Sequence, residues 1–264
     1  MRITILFILT LLAGGLKAGD SESIRHLSGA GQDPAVDGLQ FTDSASFDPK
    51  LKKYLSGSPV YIGDWKEVIK LPHPPDNSSE RTAAELAYLR ELQSQRTEKQ
   101  KADIEQQIKV SGMKLGGFEM SKIQVAAPSR PATKRMLDAA QREMELIVFQ
   151  MKASFNRARP NHLATDIIPS IVVPGHPAYP SGHATQAHLL AYLLMELVPE
   201  QGDQLIRDAA QIAQNREIAG VHYPSDSEAG QQLARQIVDR LLKNSDFAPL
   251  MDAARDELSS NVGE

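Results

Sequence analysis

Three short stretches carry side chains able to hold an anion and react with it. Tyr179-Pro180-Ser181-Gly182-His183-Ala184 sets a serine, a glycine and a histidine at a turn, and the largely apolar run over 188–198 that follows reads as a buried helix. A helix start has unpaired backbone N–H groups and partial positive charge, so Gly182 would let the backbone approach an anion while the Ser181 hydroxyl adds a donor. The plain alternative is an ordinary serine cap beside a hydrogen-bonded histidine. Upstream, six residues separate Lys152 from Arg159-Pro160; downstream, five separate Arg216 from His222, and Asp226 follows four later. Taken singly, these have bland readings: solvated cations near a helix end, structural histidines, an aspartate cap. Taken together they match the needs of a phosphomonoester dianion. Lys152 and the forked guanidiniums of Arg159 and Arg216 would surround its nonbridging oxygens, and Ser181 with the Gly182 backbone would complete the cradle. Two imidazoles beside such a cradle offer candidates for nucleophile and proton donor.

In this order and spacing the three stretches resemble the three-part signature of the type-2 phosphatidic acid phosphatase and vanadium haloperoxidase superfamily. Within it, the chain looks most like the soluble bacterial class A acid phosphatases. The resemblance covers roughly residues 70–245, with the motifs confined to 152–230. It implies an all-α, multi-helix bundle and metal-independent hydrolysis of soluble phosphate monoesters. By the same resemblance His222 attacks phosphorus to give a phosphohistidine, His183 protonates the leaving alkoxide and later activates water, and Asp226 holds the far ring nitrogen of His222. Lys152, Arg159, Ser181, Gly182 and Arg216 would bind the phosphate. No cofactor or metal is implied, although vanadate, as a phosphate mimic, could take the same seat with His222 as its ligand. That is the haloperoxidase alternative, and such enzymes are generally much larger. A noncatalytic phosphate-binding protein of the cell envelope is a third reading. Two positions depart from the pattern: Asn215 stands where a serine usually precedes the arginine, and Ala184 where class A enzymes commonly have threonine.

These residues need a scaffold, and the chain supplies helical patterns for one. Leu137, Ala140, Met144, Ile147, Met151 and Phe155 recur at three or four residues and mark one buried helix face from Thr133 onward. Lys152 and Arg159 would then point the same way, nearly two turns apart, with Pro160 ending the helix at Arg159. The spacing further predicts a helix opening at residues 78–81, a solvated charged helix over 96–109, a helix over 199–221 ended by Gly220, one from Pro224 through Leu241, and a last one over 248–258. About seven helices and no convincing strand pattern result.

Length and composition bound the rest. The 264 residues allow one sizeable domain with appendages, and a net charge of −4 carries no general basic character to suggest a nucleic-acid partner. With no cysteine, disulfides, thiolate catalysis and cysteine-ligated zinc are excluded. Residues 1–18 read as a secretory signal peptide: Met1-Arg2, an apolar stretch over 3–12, then small residues up to Ala18. A periplasmic or secreted protein is expected, with no stable membrane insertion after cleavage, small-molecule phosphate esters as partners and room for homo-oligomers. Residues 19–75 are expected to form an irregular arm and stiff linker ending at Leu71-Pro72-His73-Pro74-Pro75, and residues 76–264 the helical phosphatase domain.

Overall fold

The computed structural model describes residues 34–109 and 130–260; the expected leader at 1–18 and most of the connection at 111–131 lie outside them. Among these described residues, seven long helices make up the body: α1 (Glu80–Gln95), α2 (Glu98–Lys109), α3 (Pro131–Phe155), α4 (Gly182–Met195), α5 (Gly202–Ile218), α6 (Pro224–Leu241) and α7 (Ala248–Ser260). Among the described residues there is no named strand, only an isolated bridge between Gln40 and Arg157. The architecture is the all-helical bundle that the periodicity predicts.

α4 is the central element because it is apolar on every side. Ala187, Leu189, Ala191 and Leu193 are fully buried, and α3, α5 and α6 pack around it. A helix without a polar face can be stable in water only when surrounded. Its partner α6 comes close enough to require a glycine: a Cβ at Gly230 would lie 2.8 Å from the Ser181 carbonyl oxygen and 2.9 Å from the Ala184 Cβ. That approach brings the start of α6 against the start of α4, where the Ser181 N–H donates to the Asp226 carbonyl at 2.9 Å.

Helix ends follow local chemistry. Ser79 caps α1 by accepting the Thr82 N–H. α3 opens with Pro131 at its first position, and its free Ala132 and Thr133 N–H groups donate to the Glu257 carboxylate of α7 at 2.7 and 2.8 Å. α3 then stops at Phe155, because Asn156 adopts the left-handed conformation at φ 50°. This corrects the expectation that the helix reaches Arg159. Lys152 and Arg159 do not share a helix face; Pro160 instead opens a short turn, Pro160–Leu163.

Two further expectations change. The charged tract over 96–109 is not simply a solvated helix, since Ile104 and Gln107 of α2 are completely buried. Two inward residues, one of them a glutamine, are hard to see beside eight polar neighbours. The stretch before Pro75 is likewise more than an irregular arm. It forms short helical turns at Phe41–Ser44, Lys52–Leu55 and Trp65–Val68, and Ile62, Trp65 and Ile69 join the main core. Glu143 of α3, itself buried, secures it by accepting the N–H groups of Val60, Tyr61 and Ile62 at 2.6, 2.8 and 3.0 Å. Residues from Pro34 onward thus form one compact unit across the expected boundary.

Candidate active site

The later turns of α3, the start of α4, the end of α5 with Val221 and His222 beyond it, Gln107 of α2 and the loop over 171–176 surround a cavity of about 460 Å³. Lys152, Gly182, His183, Arg216 and His222 all line it, together with His176. Folding therefore gathers side chains from all three sequence stretches around one space. Much of the remaining wall is apolar, with Met144, Val148, Phe149 and Val173 among its residues.

His222 is held from both sides. Its Nδ1 lies 3.0 Å from Asp226 Oδ2, and its Nε2 lies 3.1 Å from Arg159 Nη1. A guanidinium can only donate and a carboxylate can only accept, so Nδ1 carries the proton and Nε2 presents its lone pair. Burial and the Arg159 charge hold this imidazole well below its ordinary pKa, against the opposing pull of Asp226. The Asp226 carboxyl lies well below the carboxylate range despite its burial, because Arg157 and His222 both favour its charge.

Arg159 is fully buried and also donates to the Val221 carbonyl at 2.6 Å and to the His176 carbonyl at 2.8 Å. Lys152, equally buried, donates to the carbonyls of Pro177 and Ala178 at 2.8 and 2.9 Å. Burial, helped by Arg159, pushes its ammonium well down from the usual value. Desolvation likewise brings Arg159 and Arg216 down to about 10, which leaves both charged at neutral pH.

Arg216 is the least satisfied of these groups. Its Nη2 makes a short hydrogen bond to Gln107 Oε1 and a 3.4 Å contact with the Ile104 carbonyl, while Nε and Nη1 find no partner among the described residues. Gln107 Nε2 is another buried donor without a partner. Donors without acceptors around a cavity make a seat for an oxyanion, since leaving a buried donor unpaired costs about 1–3 kcal/mol. The N–H groups of Gly182 and His183 belong to the first turn of α4, where no carbonyl of the helix reaches them.

His183 opens on the same cavity. A hydrogen bond to the Gln107 backbone favours its charged form, but burial first and Arg216 second push it down to about 3. Ser181 occupies a different place from the one its motif suggests. It is fully buried, its hydroxyl accepts the Ala184 N–H at 3.4 Å as the α4 cap, and it is not among the residues lining the cavity.

Several site residues escape a reading of the motifs. Arg157 donates to Asp226 Oδ1 at 2.7 Å and to Ser225 Oγ at 2.8 Å, and its guanidinium stacks 3.9 Å from the Tyr223 ring centroid. Glu85 of α1 accepts from the Ser225 N–H and Oγ at 2.9 and 2.8 Å. A signal for Glu85 was present: Thr82, Glu85 and Leu89, spaced by three and four, form the buried face of α1. Gln107 had none comparable, and His176 only its proximity to the central motif.

Residues 144–237 match the PAP2 superfamily, and this segment supplies most of the residues that line the cavity. Among curated relatives, the "Non-specific acid phosphatase" of Providencia stuartii is 33% identical over 82 residues, and that of Salmonella typhimurium 35% over 82 residues. Each match covers 31% of this chain and 33% of the relative, so it spans about a third of the length of these proteins. An "Acid phosphatase" of Zymomonas mobilis is 33% identical over 81 residues, with 31% of either chain covered. Among solved structures, a bacterial vanadium-dependent iodoperoxidase superposes with a TM-score of 0.51 at 15% identity, covering 78% of this chain and 62% of that one, a likeness of fold. The chain is thus similar to acid phosphatases in sequence and shares the helical fold of the haloperoxidases. No helix of the described residues is long and apolar enough to cross a membrane.

Proposed function

We propose that this protein is an acid phosphatase that hydrolyses small phosphate monoesters through a phosphohistidine on His222. The observation that carries the reading is the orientation of that ring: Nδ1 rests on Asp226, and the unprotonated Nε2 belongs to a residue lining a cavity that Lys152, His183 and Arg216 share. The phosphoryl group enters with its nonbridging oxygens toward the free donors of Arg216, the first-turn N–H groups of α4 and Lys152. Arg159 exchanges its contact with Nε2 for one with a phosphoryl oxygen. The His222 Nε2 lone pair attacks phosphorus, the ester P–O bond breaks, and the leaving oxygen takes a proton from His183. Water then loses a proton to His183 and attacks phosphorus, the P–N bond breaks, and inorganic phosphate leaves. Three cations stabilise the charge on the transferring group, the task a metal performs in other phosphoryl-transfer sites, so the scheme runs without one.

His183 must be protonated to act as the acid, yet burial and Arg216 push it down to about 3. A phosphate dianion beside Arg216 offsets the charges that depress it and raises its proton affinity. Substrate binding therefore arms the acid. Ser181 shapes the seat by holding the first turn of α4, and its hydroxyl does not contact phosphate. Export to the periplasm or medium by way of residues 1–18 completes the reading, with fractionation and sizing of the purified protein reading location and assembly.

The direct test is phosphate release from p-nitrophenyl phosphate, nucleotides and sugar phosphates, with acid quench of the labelled enzyme. His222→Ala is expected to lose turnover and the acid-labile phosphoenzyme together. A normal phosphoenzyme level in that variant, or halide oxidation that depends on added vanadate without any phosphate release, would overturn the proposal.

A further inference from the structure

Arg157 takes no direct part in the scheme above, yet it is buried at the centre of a charged chain that ends on His222. Asn156 breaks α3 just before it, and the segment leaves in extended form, with Arg157 bridged to Gln40 and Arg159 at φ −76°, ψ 156°. Residues two apart in an extended chain leave on the same side. Arg157 accordingly reaches the carboxylate of Asp226 while Arg159 reaches the ring that this carboxylate holds.

We propose that Arg157, braced by Glu85, is a positioning residue: it occupies one oxygen of Asp226 and leaves the other to His222, keeping the imidazole neutral with Nε2 free. The inference rests on the phosphatase reading for its link to turnover. Asp226 is fully buried, and both oxygens are used: Oδ1 by Arg157 Nη1 at 2.7 Å, Oδ2 by His222 Nδ1 and the Tyr223 N–H, each at 3.0 Å. A buried carboxylate with only an imidazole beside it would draw a second proton onto the ring to form an ion pair, and an imidazolium has no lone pair for phosphorus. The Arg157 guanidinium supplies the countercharge instead. It is itself fixed by Ser225 Oγ, by the Tyr223 ring and by Glu85 Oε2 at 3.5 Å, and Ser225 is held in turn by both Glu85 oxygens.

Other charged and titratable groups around the ring also bear on its protonation. Arg159 touches it, and Lys152 of α3 adds positive potential. His176, His183 of α4 and Arg216 of α5 share the cavity. Glu217, also on α5, is a buried carboxyl sensitive to Asp226 and Glu85. Of these, Asp226 is the one that favours the imidazolium from contact distance, and Arg157 is the group that balances it.

The test uses the full chain, with the pH profile of kcat/KM on p-nitrophenyl phosphate and, independently of turnover, the titration of the His222 ring nitrogens by ¹⁵N NMR without substrate. Arg157→Gln leaves Asp226 unbalanced and is expected to move both the acid limb and the His222 titration up by about one pH unit, a tenfold loss of rate below the limb. The substrate's own ionisation contributes to the limb but does not change between variants. Arg157→Lys, which keeps the charge, should bring the limb back close to the parent position. If Arg157→Gln does not fold, Glu85→Gln decides: it releases Arg157 more fully to Asp226 and should shift the His222 titration down. Uniform loss of activity at every pH with an unmoved His222 titration would overturn the inference. An inactive parent protein whose His222 titration still moves in the variants would sink the phosphatase reading and leave the positioning role standing.

Discussion

Lys152 shows what a single functional side chain costs a fold. Its ammonium is fully buried on two carbonyl oxygens, and among the described residues no carboxylate contacts it; on the proposed reading the anion of the substrate supplies the missing countercharge. Lys152→Met removes the charge and takes the Lys152 donor from the Ala178 carbonyl, while the Pro177 carbonyl keeps Arg159 Nη2 at 3.3 Å, two effects of opposite sign and about 1–3 kcal/mol each. The melting temperature is therefore expected to change by only a few degrees in a thermal scan, while kcat/KM for p-nitrophenyl phosphate falls about a hundredfold or more. Arg216 has unfilled donors at Nε and Nη1, so Arg216→Ala should weaken inhibition by inorganic phosphate as well as turnover. An unchanged inhibition constant would place the anion elsewhere. For His183→Ala the expected loss is about 10²–10⁴-fold for alkyl esters and smaller for phenolic ones, which leave without a proton; equal losses in a comparison of the two substrate types would remove its role as acid. The cations and imidazoles were legible in the chain because their spacing is local. Arg157 and Gln107 were not, because the partners that give them a role in the site lie 68 or more residues away, and Glu85 showed only as part of the buried face of α1.

Helices place these side chains, and the contact of α6 with α4 is the most exacting. Gly230 lets the start of α6 rest on the first turn of α4, which sets Asp226 and His222 beside Gly182 and His183. Gly230→Ala must push backbone or Ala184 aside, and overpacking of this kind costs about 1–3 kcal/mol. Both the denaturation midpoint and kcat should fall, with kcat falling at temperatures where the variant is still fully folded; a variant with lowered midpoint and parental kcat would show that the helix contact serves stability alone. Periodicity predicted these helices well because each has an apolar face or a capping residue to announce it. It failed at the end of α3, where Asn156 turns left-handed. Nothing local demands that turn, and it is secured by contacts with a segment far upstream: the Asn156 amide donates to Gln40 Oε1 and Thr42 Oγ1, each at 2.8 Å.

For the molecule as a whole, the buried histidines tie stability to pH. Burial first of all holds His176, His183 and His222 below the ordinary imidazole value of 6.5. The unfolded chain therefore binds more protons below that value, and stability falls as pH falls from about 6.5. Glu217, pushed up to about 7 by burial, acts in the other direction: its contribution is complete below the unfolded carboxyl value of 4.5 and is lost as pH rises through 7. Thermal scans in phosphate-free buffer should show Tm falling toward pH 4.5, and Glu217→Gln should raise Tm at pH 8 while changing it little at pH 4. On the proposed reading phosphate binds the folded state alone and restores charge balance to the cavity, so adding it should offset the acid loss. A flat Tm between pH 4.5 and 6.5 would mean that these imidazoles protonate in the folded chain without penalty. By itself the sequence determined the helical class, the helices that form the body and the identity of the cations and histidines of the cavity, because helix periodicity and motif spacing are written within a few turns of chain. Only the tertiary structure decided that the Ser181 hydroxyl caps α4, that α2 closes on Arg216 through Gln107, and that Arg157 stands between Glu85 and Asp226. Those assignments depend on which distant surfaces meet, and burial, which strips water from a charge and forces it to find a partner, exists only once they have met.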